Sequence, residues 1–288
     1  MSDAKPLRTA FVLGGGGVLG ACEVGMARAL VEAKIIPDVV LGTSVGAING
    51  AALAKDPSAA SVEELARWWA SDAGSAWDAN PLDRVRSVAR TRTALHTSDA
   101  LRVLLEQNLG EARFEDLAIP FGCCAASIER ASEHWFDSGP LVPAVLASCA
   151  VPGLFPPVLL DGEHFLDGGL VNSIPVSRAV ELGASTIYVL QVGRVERPLS
   201  APTRPWQVAT VAFEIARRHR FARDLATIPQ GVTVHVLPSG DGRTPLSNLR
   251  YRSTSAVPRR IEAAYEASRT YLAENVDRAV DQVRGEGI

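Results

Sequence analysis

Charge of one sign, paired cysteines and unbroken apolar runs are all scarce in this 288-residue chain. A formal charge of −3, from 29 Lys and Arg against 32 Asp and Glu, exerts no general pull on nucleic acid, so no nucleic-acid partner is expected. The four cysteines, Cys22, Cys123, Cys124 and Cys149, show no C-x-x-C spacing. They read as reduced, buried thiols in a cytosolic setting, with no metal site among them. The first six residues, Met1 to Pro6, lack the basic-then-apolar build of a signal peptide, which points to the cytoplasm, with the inner membrane surface as a peripheral station. Val142 to Leu160 has the length of a membrane span, but Pro143, Pro152, Pro156 and Pro157 interrupt it. A short buried helix followed by a Pro-rich loop is the better reading. Linkers, internal repeats and low-complexity segments are absent from the sequence.

What is present, 47% hydrophobic and 21% charged residues, is enough for a sizeable core. Ala10-Phe11-Val12-Leu13 reads as a buried strand entering a glycine run, with a helix from about Leu19 to Ala33 after it. Val39-Val40-Leu41 is a second apolar, β-branched run. Residues 61 to 110 look mainly helical. Phe121 to Ser127 and His134 to Phe136 read as strands, and Pro157 to Leu166 as a hairpin about the Asp161-Gly162 pair. Strands return at Thr186 to Val192 and Val232 to Leu237, and a last helix runs from about Arg259 toward Arg284. Strands alternating with helices predict an α/β fold with a mostly parallel sheet covered on both faces.

Gly42-Thr43-Ser44-Val45-Gly46 joins the second strand to the small-residue helix from Ala47 to Ala54. A serine on such a turn sits in strained backbone with its hydroxyl presented, and small residues two positions either side let strand and helix pass closely. Ser44 is therefore the candidate nucleophile.

Gly14 to Gly20 contains Gly15-x-Gly17-x-x-Gly20 between a strand and a helix, which also matches a dinucleotide-binding fingerprint. That reading needs an acid at the end of the second strand, where Leu41-Gly42-Thr43-Ser44 stands, and the nearest acid, Asp38, precedes the strand. No Gly-Lys-Ser/Thr follows, so a phosphate loop is not indicated either, and no cofactor is expected. In a parallel sheet the strand ends near residues 13 and 43 can lie side by side. Gly15, Gly16 and Gly17 would then offer backbone N–H groups to an oxyanion beside Ser44, with the Val45 N–H as a further donor.

The serine needs a base. His219 lies in Arg217-Arg218-His219-Arg220, which reads as a solvated face, and His235 alternates within a strand. His164 and Asp167, three apart on a strand, point to opposite faces. In Asp167-Gly168-Gly169 an aspartate closes a strand and two glycines free the backbone to hold its carboxylate at a tight turn.

With these pieces in this order, the chain resembles the patatin-like phospholipase family. The likeness rests on Gly14-Gly15-Gly16-Gly17-Val18-Leu19-Gly20, Gly42-Thr43-Ser44-Val45-Gly46, Asp167-Gly168-Gly169 and the stretch Ala150 to Pro157. It covers roughly residues 8 to 193, the expected catalytic core, with residues 194 to 288 expected to add a strand and helices to the same domain. The resemblance implies a three-layer α/β/α sandwich and lipid acyl hydrolysis by a serine–aspartate dyad. Ser44 would be the nucleophile, Asp167 the base, and Gly15 to Gly17 the oxyanion hole. Alternatives within the same fold are an acyltransferase and a catalytically silent lipid-binding protein.

One position departs from the family pattern: Leu19 stands where a basic residue is usual. Phe155, Phe165, Leu166 and Val171 are candidates for an apolar pocket wall around the aspartate. Arg84, Arg86, Arg90 and Arg92 form one basic cluster and Arg217 to Arg223 a second; both read first as solvated surface, with peripheral docking on anionic lipid as the functional alternative. Trp68, Trp69 and Trp77 are candidates for core or for the acyl entrance, with at least one of the adjacent pair expected in the core.

Overall fold

The computed structural model describes residues 9–71, 94, 97–192, 198–203, 205–240 and 256–276. The N-terminal hexapeptide, Trp77, the basic cluster at Arg84 to Arg92 and the end of the last helix toward Arg284 lie outside the described residues.

An eight-stranded sheet forms the centre. Strands β1 (Thr9–Leu13), β2 (Val39–Thr43), β3 (Phe121–Ser127), β7 (Thr186–Leu190) and β8 (Thr233–Val236) run parallel in the order β3-β2-β1-β7-β8. β4 (Ser132–Phe136) and the hairpin of β5 (Val158–Leu160) and β6 (Glu163–Asp167) complete the sheet in antiparallel pairings. The hairpin turns through Asp161 and Gly162, both at positive φ, as the Asp-Gly pair predicts.

Alternation along the strands separates two cores. Phe11, Leu13, Val40, Tyr188 and Leu190 face one side of the sheet; Ala10, Val12, Val39, Leu41, Ile187 and Val189 face the other. The first core receives α1 (Ala21–Glu32), α2 (Val45–Lys55), α3 (Ala59–Ser71), α4 (Asp99–Leu109), α5 (Leu141–Ser148) and a late helix, α8 (Val257–Asn275). The second receives α6 (Val176–Glu181) and α7 (Pro205–Ala226). This is a three-layer α/β/α arrangement, and burial of each large apolar side chain contributes about 1.5–3 kcal/mol to it. Trp68 and Trp69 are both buried in the first core. The uncharged stretch from Val142 folds as the short buried helix α5 and an irregular proline-containing loop. No described helix is long and apolar enough to cross a membrane.

One detail of the sheet positions the site. β4 takes one edge of β3 along Cys123–Ser127. The other edge is shared: β2 pairs with it as far as Thr43↔Cys124, and β6 pairs with it from Ala125↔Asp167 onward. Because β2 is parallel and β6 antiparallel to β3, the two strands run toward each other and end head to head. Thr43 and Asp167 thus face consecutive residues of β3.

Candidate active site

Ser44 stands between β2 and α2 with φ 56° and ψ −125°, a left-handed conformation that costs a residue with a side chain about 1–3 kcal/mol. The surrounding packing imposes it. A Cβ on Gly42 would come within 2.4 Å of the Gly46 carbonyl oxygen, and one on Gly46 within 2.3 Å of the Leu13 carbonyl oxygen. Only hydrogen fits at either place, so strand, turn and helix are locked together. The Ser44 carbonyl accepts the Ala47 N–H at 2.8 Å. Its own N–H donates to Ser148 Oγ at 2.9 Å, and the Ser148 hydroxyl donates onward to the Cys124 carbonyl at 2.6 Å. Ser148, fully buried on α5, is a positioning residue the sequence reading did not single out.

Asp167 closes β6 with its carboxylate turned toward the elbow. Ser44 Oγ donates to Asp167 Oδ2 at 2.5 Å, and the Gly169 N–H donates to Oδ1 at 2.7 Å. The Asp167 N–H is itself tied to the Ala150 carbonyl at 2.9 Å. Ser44 is 4% and Asp167 2% exposed. Burial raises the Asp167 carboxyl from 3.8 to about 6, against the pull of the hydrogen bonds from Ser44 and Gly169. Gly168 lies against the Cys124 carbonyl and Gly169 against Phe213 of α7. Buried Phe165 shares the Asp167 face of β6, whereas Leu166 turns to the opposite face. Phe155 is buried and Val171 half-buried.

The glycine run lies where the strand order requires, since Leu13 of β1 sits beside Gly42 of β2. Its N–H groups divide into two sets. Gly14 donates to the Leu190 carbonyl and Gly15 to the Ser173 carbonyl, each at 2.9 Å. The Gly15 N–H is therefore committed to the backbone of the segment after Asp167 rather than turned to an oxyanion beside Ser44. Gly15 still abuts the elbow, because a Cβ there would be 3.4 Å from Ser44 Cβ. Gly16 and Gly17 are partly exposed, and Gly17 has φ 57° with open space around it. Among the described residues no acceptor engages the N–H groups of Gly16, Gly17 or Val45. Gly20 packs against Val45 and Trp69. Leu19, 7% exposed, joins the first core, so this position carries an inward apolar side chain.

Beneath the loop lies a buried polar cluster that the sequence did not announce. Glu23 of α1 is fully buried, and its Oε2 accepts Asn49 Nδ2 at 2.8 Å. Asn49 also donates to the Gly20 carbonyl and accepts from Trp69 Nε1. Burial holds the Glu23 carboxyl well above the usual carboxylate range. Arg217 overturns the solvated-face expectation: it is 5% exposed, and its guanidinium donates to Gln191 Oε1 and the Val192 carbonyl just past β7, with Glu214 beside it. The available signal was the spacing of Glu214, Arg217, Phe221 and Asp224, which places all four on one buried helix face.

None of the four described histidines bonds to the Ser44–Asp167 pair. His134 packs with Phe136 and Phe165, His164 pairs with Glu129, His235 stacks on Tyr188 and meets Tyr271, and His219 is exposed on α7. Among the described residues no three His, Cys, Asp or Glu side chains are placed to hold a metal ion.

Comparison with known proteins gives the following matches. The model of a family described as patatin-like phospholipase matches residues 11–180, which contain the glycine run, the serine elbow and Asp167-Gly168-Gly169. Lysophospholipase nte1 of Aspergillus terreus is 32% identical over 186 residues, 65% of this chain and 12% of that protein. Patatin-like phospholipase domain-containing protein 6 of Homo sapiens is 32% identical over 186 residues, 64% of this chain and 13% of that protein. The chain thus spans only about an eighth of these relatives' length. The crystal structure of VipD from Legionella pneumophila overlays 94% of this chain and 67% of that one, with a TM-score of 0.48 and 14% identity.

Proposed function

The chain belongs to the patatin-like phospholipase family, and from that premise we propose that it is a lipid acyl hydrolase, a carboxylic ester hydrolase acting through a Ser44–Asp167 dyad. The observation that carries this reading is the 2.5 Å hydrogen bond from Ser44 Oγ to the buried Asp167 carboxylate. Relatives named as lysophospholipases direct attention to glycerophospholipids, and lysophospholipids first, as substrates.

Ser44 Oγ attacks the ester carbonyl carbon while its proton passes to Asp167 Oδ2. The carbonyl oxygen becomes an oxyanion received by the N–H groups of Gly16, Gly17 and Val45, where losing one such donor typically costs roughly 100- to 1000-fold in rate. Collapse breaks the ester C–O bond, and the departing alcohol takes the proton from Asp167, leaving the acyl group on Ser44. Water then gives a proton to Asp167 as its oxygen attacks the acyl carbon. A second collapse frees the fatty acid and returns the proton to Ser44. Aspartate in water is a weak base for an alcohol; raising its carboxyl to about 6 by burial brings it nearer the working range.

The test is incubation of the purified chain with a mixed lipid extract, followed by mass spectrometry. The proposal expects phospholipid or lysophospholipid species to fall as free fatty acid rises, with no such change for Ser44→Ala. An extract unchanged by the parent chain, or changed equally by both, counts against it.

A further inference from the structure

α7 has a surface that internal packing does not explain. Its inner face is committed: Glu214, Arg217, Phe221 and Asp224 are buried, and Phe213 leans on Gly169 beside the dyad. On its outer face Val208 is 54% and Ile215 55% exposed, with exposed Ala212 between them. That spacing aligns the three side chains in one outward stripe. The stripe continues along the helix into exposed His219, Ala222 and Arg223, with Arg218 and Arg220 half-buried at its flanks. α7 also packs on the Gly168–Leu170 turn, where Leu170, three residues past Asp167, is 43% exposed. An outward apolar stripe ending at Arg223 thus adjoins the segment that holds the candidate base.

We propose that the outer face of α7, together with Leu170, seats the protein on an anionic lipid bilayer. The assignment rests on the lipid-hydrolase reading for the identity of the occupant and on the surface itself for its chemistry. An amphipathic helix lying in an interface buries its apolar stripe at the acyl boundary and leaves cations among the headgroups. Exposed cations near such a surface add about 1 kcal/mol each. Arg218 is paired with Glu214, and Arg220 with Glu133 and Asp224, so exposed Arg223 is the arginine this face offers to an anionic surface. Seating here would bring the bilayer against the turn that follows Asp167, shortening the path of a lipid ester to Ser44.

The experiment is co-sedimentation of the full chain with vesicles of phosphatidylcholine containing about one-third phosphatidylglycerol, against phosphatidylcholine alone. Val208→Glu and Ile215→Glu change exposed side chains, and thermal melting verifies that both variants fold. Each is expected to lower the partition coefficient about tenfold, as the loss of one buried aliphatic side chain requires. Arg223→Glu is expected to reduce the preference for the anionic vesicles and the sensitivity of binding to salt. Folded variants that sediment as the parent does overturn the proposal. So does a parent dimer that Ile215→Glu dissociates without changing vesicle binding, since the stripe would then belong to a second copy. Hydrolysis of a soluble monomeric ester by the parent is measured alongside. Absence of that turnover with intact vesicle binding strikes the hydrolase reading and leaves the docking surface standing.

Discussion

Ser44 and Asp167, 123 residues apart in sequence, lie within 2.5 Å of each other because the strands that carry them meet end to end along one edge of β3. The same junction explains the carboxylate's burial. Strand β3 pairs alongside β6, the Ala150 carbonyl holds the Asp167 backbone N–H, and the Gly169 N–H and the Ser44 hydroxyl bond the carboxylate itself.

Burial of Asp167 makes a two-part prediction about pH. A base with its carboxyl at about 6 must be ionised to act, so kcat/KM for ester hydrolysis should rise up to that pH and level off above it. A raised carboxyl means the folded chain holds this proton more tightly than the unfolded one. Stability is therefore lost as pH climbs from about 4 through about 6, by up to ~3 kcal/mol. Asp167→Asn removes that cost, and should melt higher than the parent at pH 8 with the gap closing toward pH 4, while turnover nearly vanishes. A variant that melts below the parent at pH 8 contradicts the buried-charge account.

Ser148 holds the elbow from behind. Ser148→Ala leaves the buried Ser44 N–H without its acceptor, which costs about 1–3 kcal/mol. Because the nucleophile then shifts while substrate contacts remain, kcat should fall about 10- to 100-fold with little change in KM. Steady-state kinetics together with a melting curve check this; a rise in KM alone at constant kcat would place Ser148 elsewhere in the mechanism.

Two glycines should respond to very different degrees. Gly46→Ala drives a Cβ to 2.3 Å from the Leu13 carbonyl oxygen, so the backbone must move. A loss of about 3 kcal/mol or more, a drop of roughly 10 °C in Tm, is expected along with loss of activity. Gly17→Ala has open space and keeps its N–H, and should cost only about 1 kcal/mol for its positive φ. Activity within about tenfold of the parent is expected there, because an alanine N–H can serve the oxyanion equally well. Equal damage from both substitutions would mean that Gly17 does more than lend its backbone.

Much of the fold was legible because it is written in local chemistry. The elbow declares itself through small residues on both sides of Ser44, and the hairpin through Asp161-Gly162; these constraints act within a few residues. The parallel sheet follows from strands alternating with helices. What stayed hidden depends on contacts between distant segments. Nothing near Gly15 shows that the Ser173 carbonyl would take its N–H, and nothing near Ser148 ties it to Ser44. Arg217 misled because three arginines and a histidine in four residues look like a solvated run. The i, i+4 relation of Arg217 to Phe221 was the better guide to which one turns inward.

The central claim is that the Ser44 hydroxyl, activated by Asp167, is the atom that takes the acyl group. Intact-mass and peptide mass spectrometry after brief exposure to a fluorophosphonate tests it most directly. The account predicts one covalent adduct, on the peptide containing Ser44, absent from Ser44→Ala and formed much more slowly by Asp167→Asn. An adduct on another residue, or labelling of Ser44→Ala at the parent's rate, would contradict it.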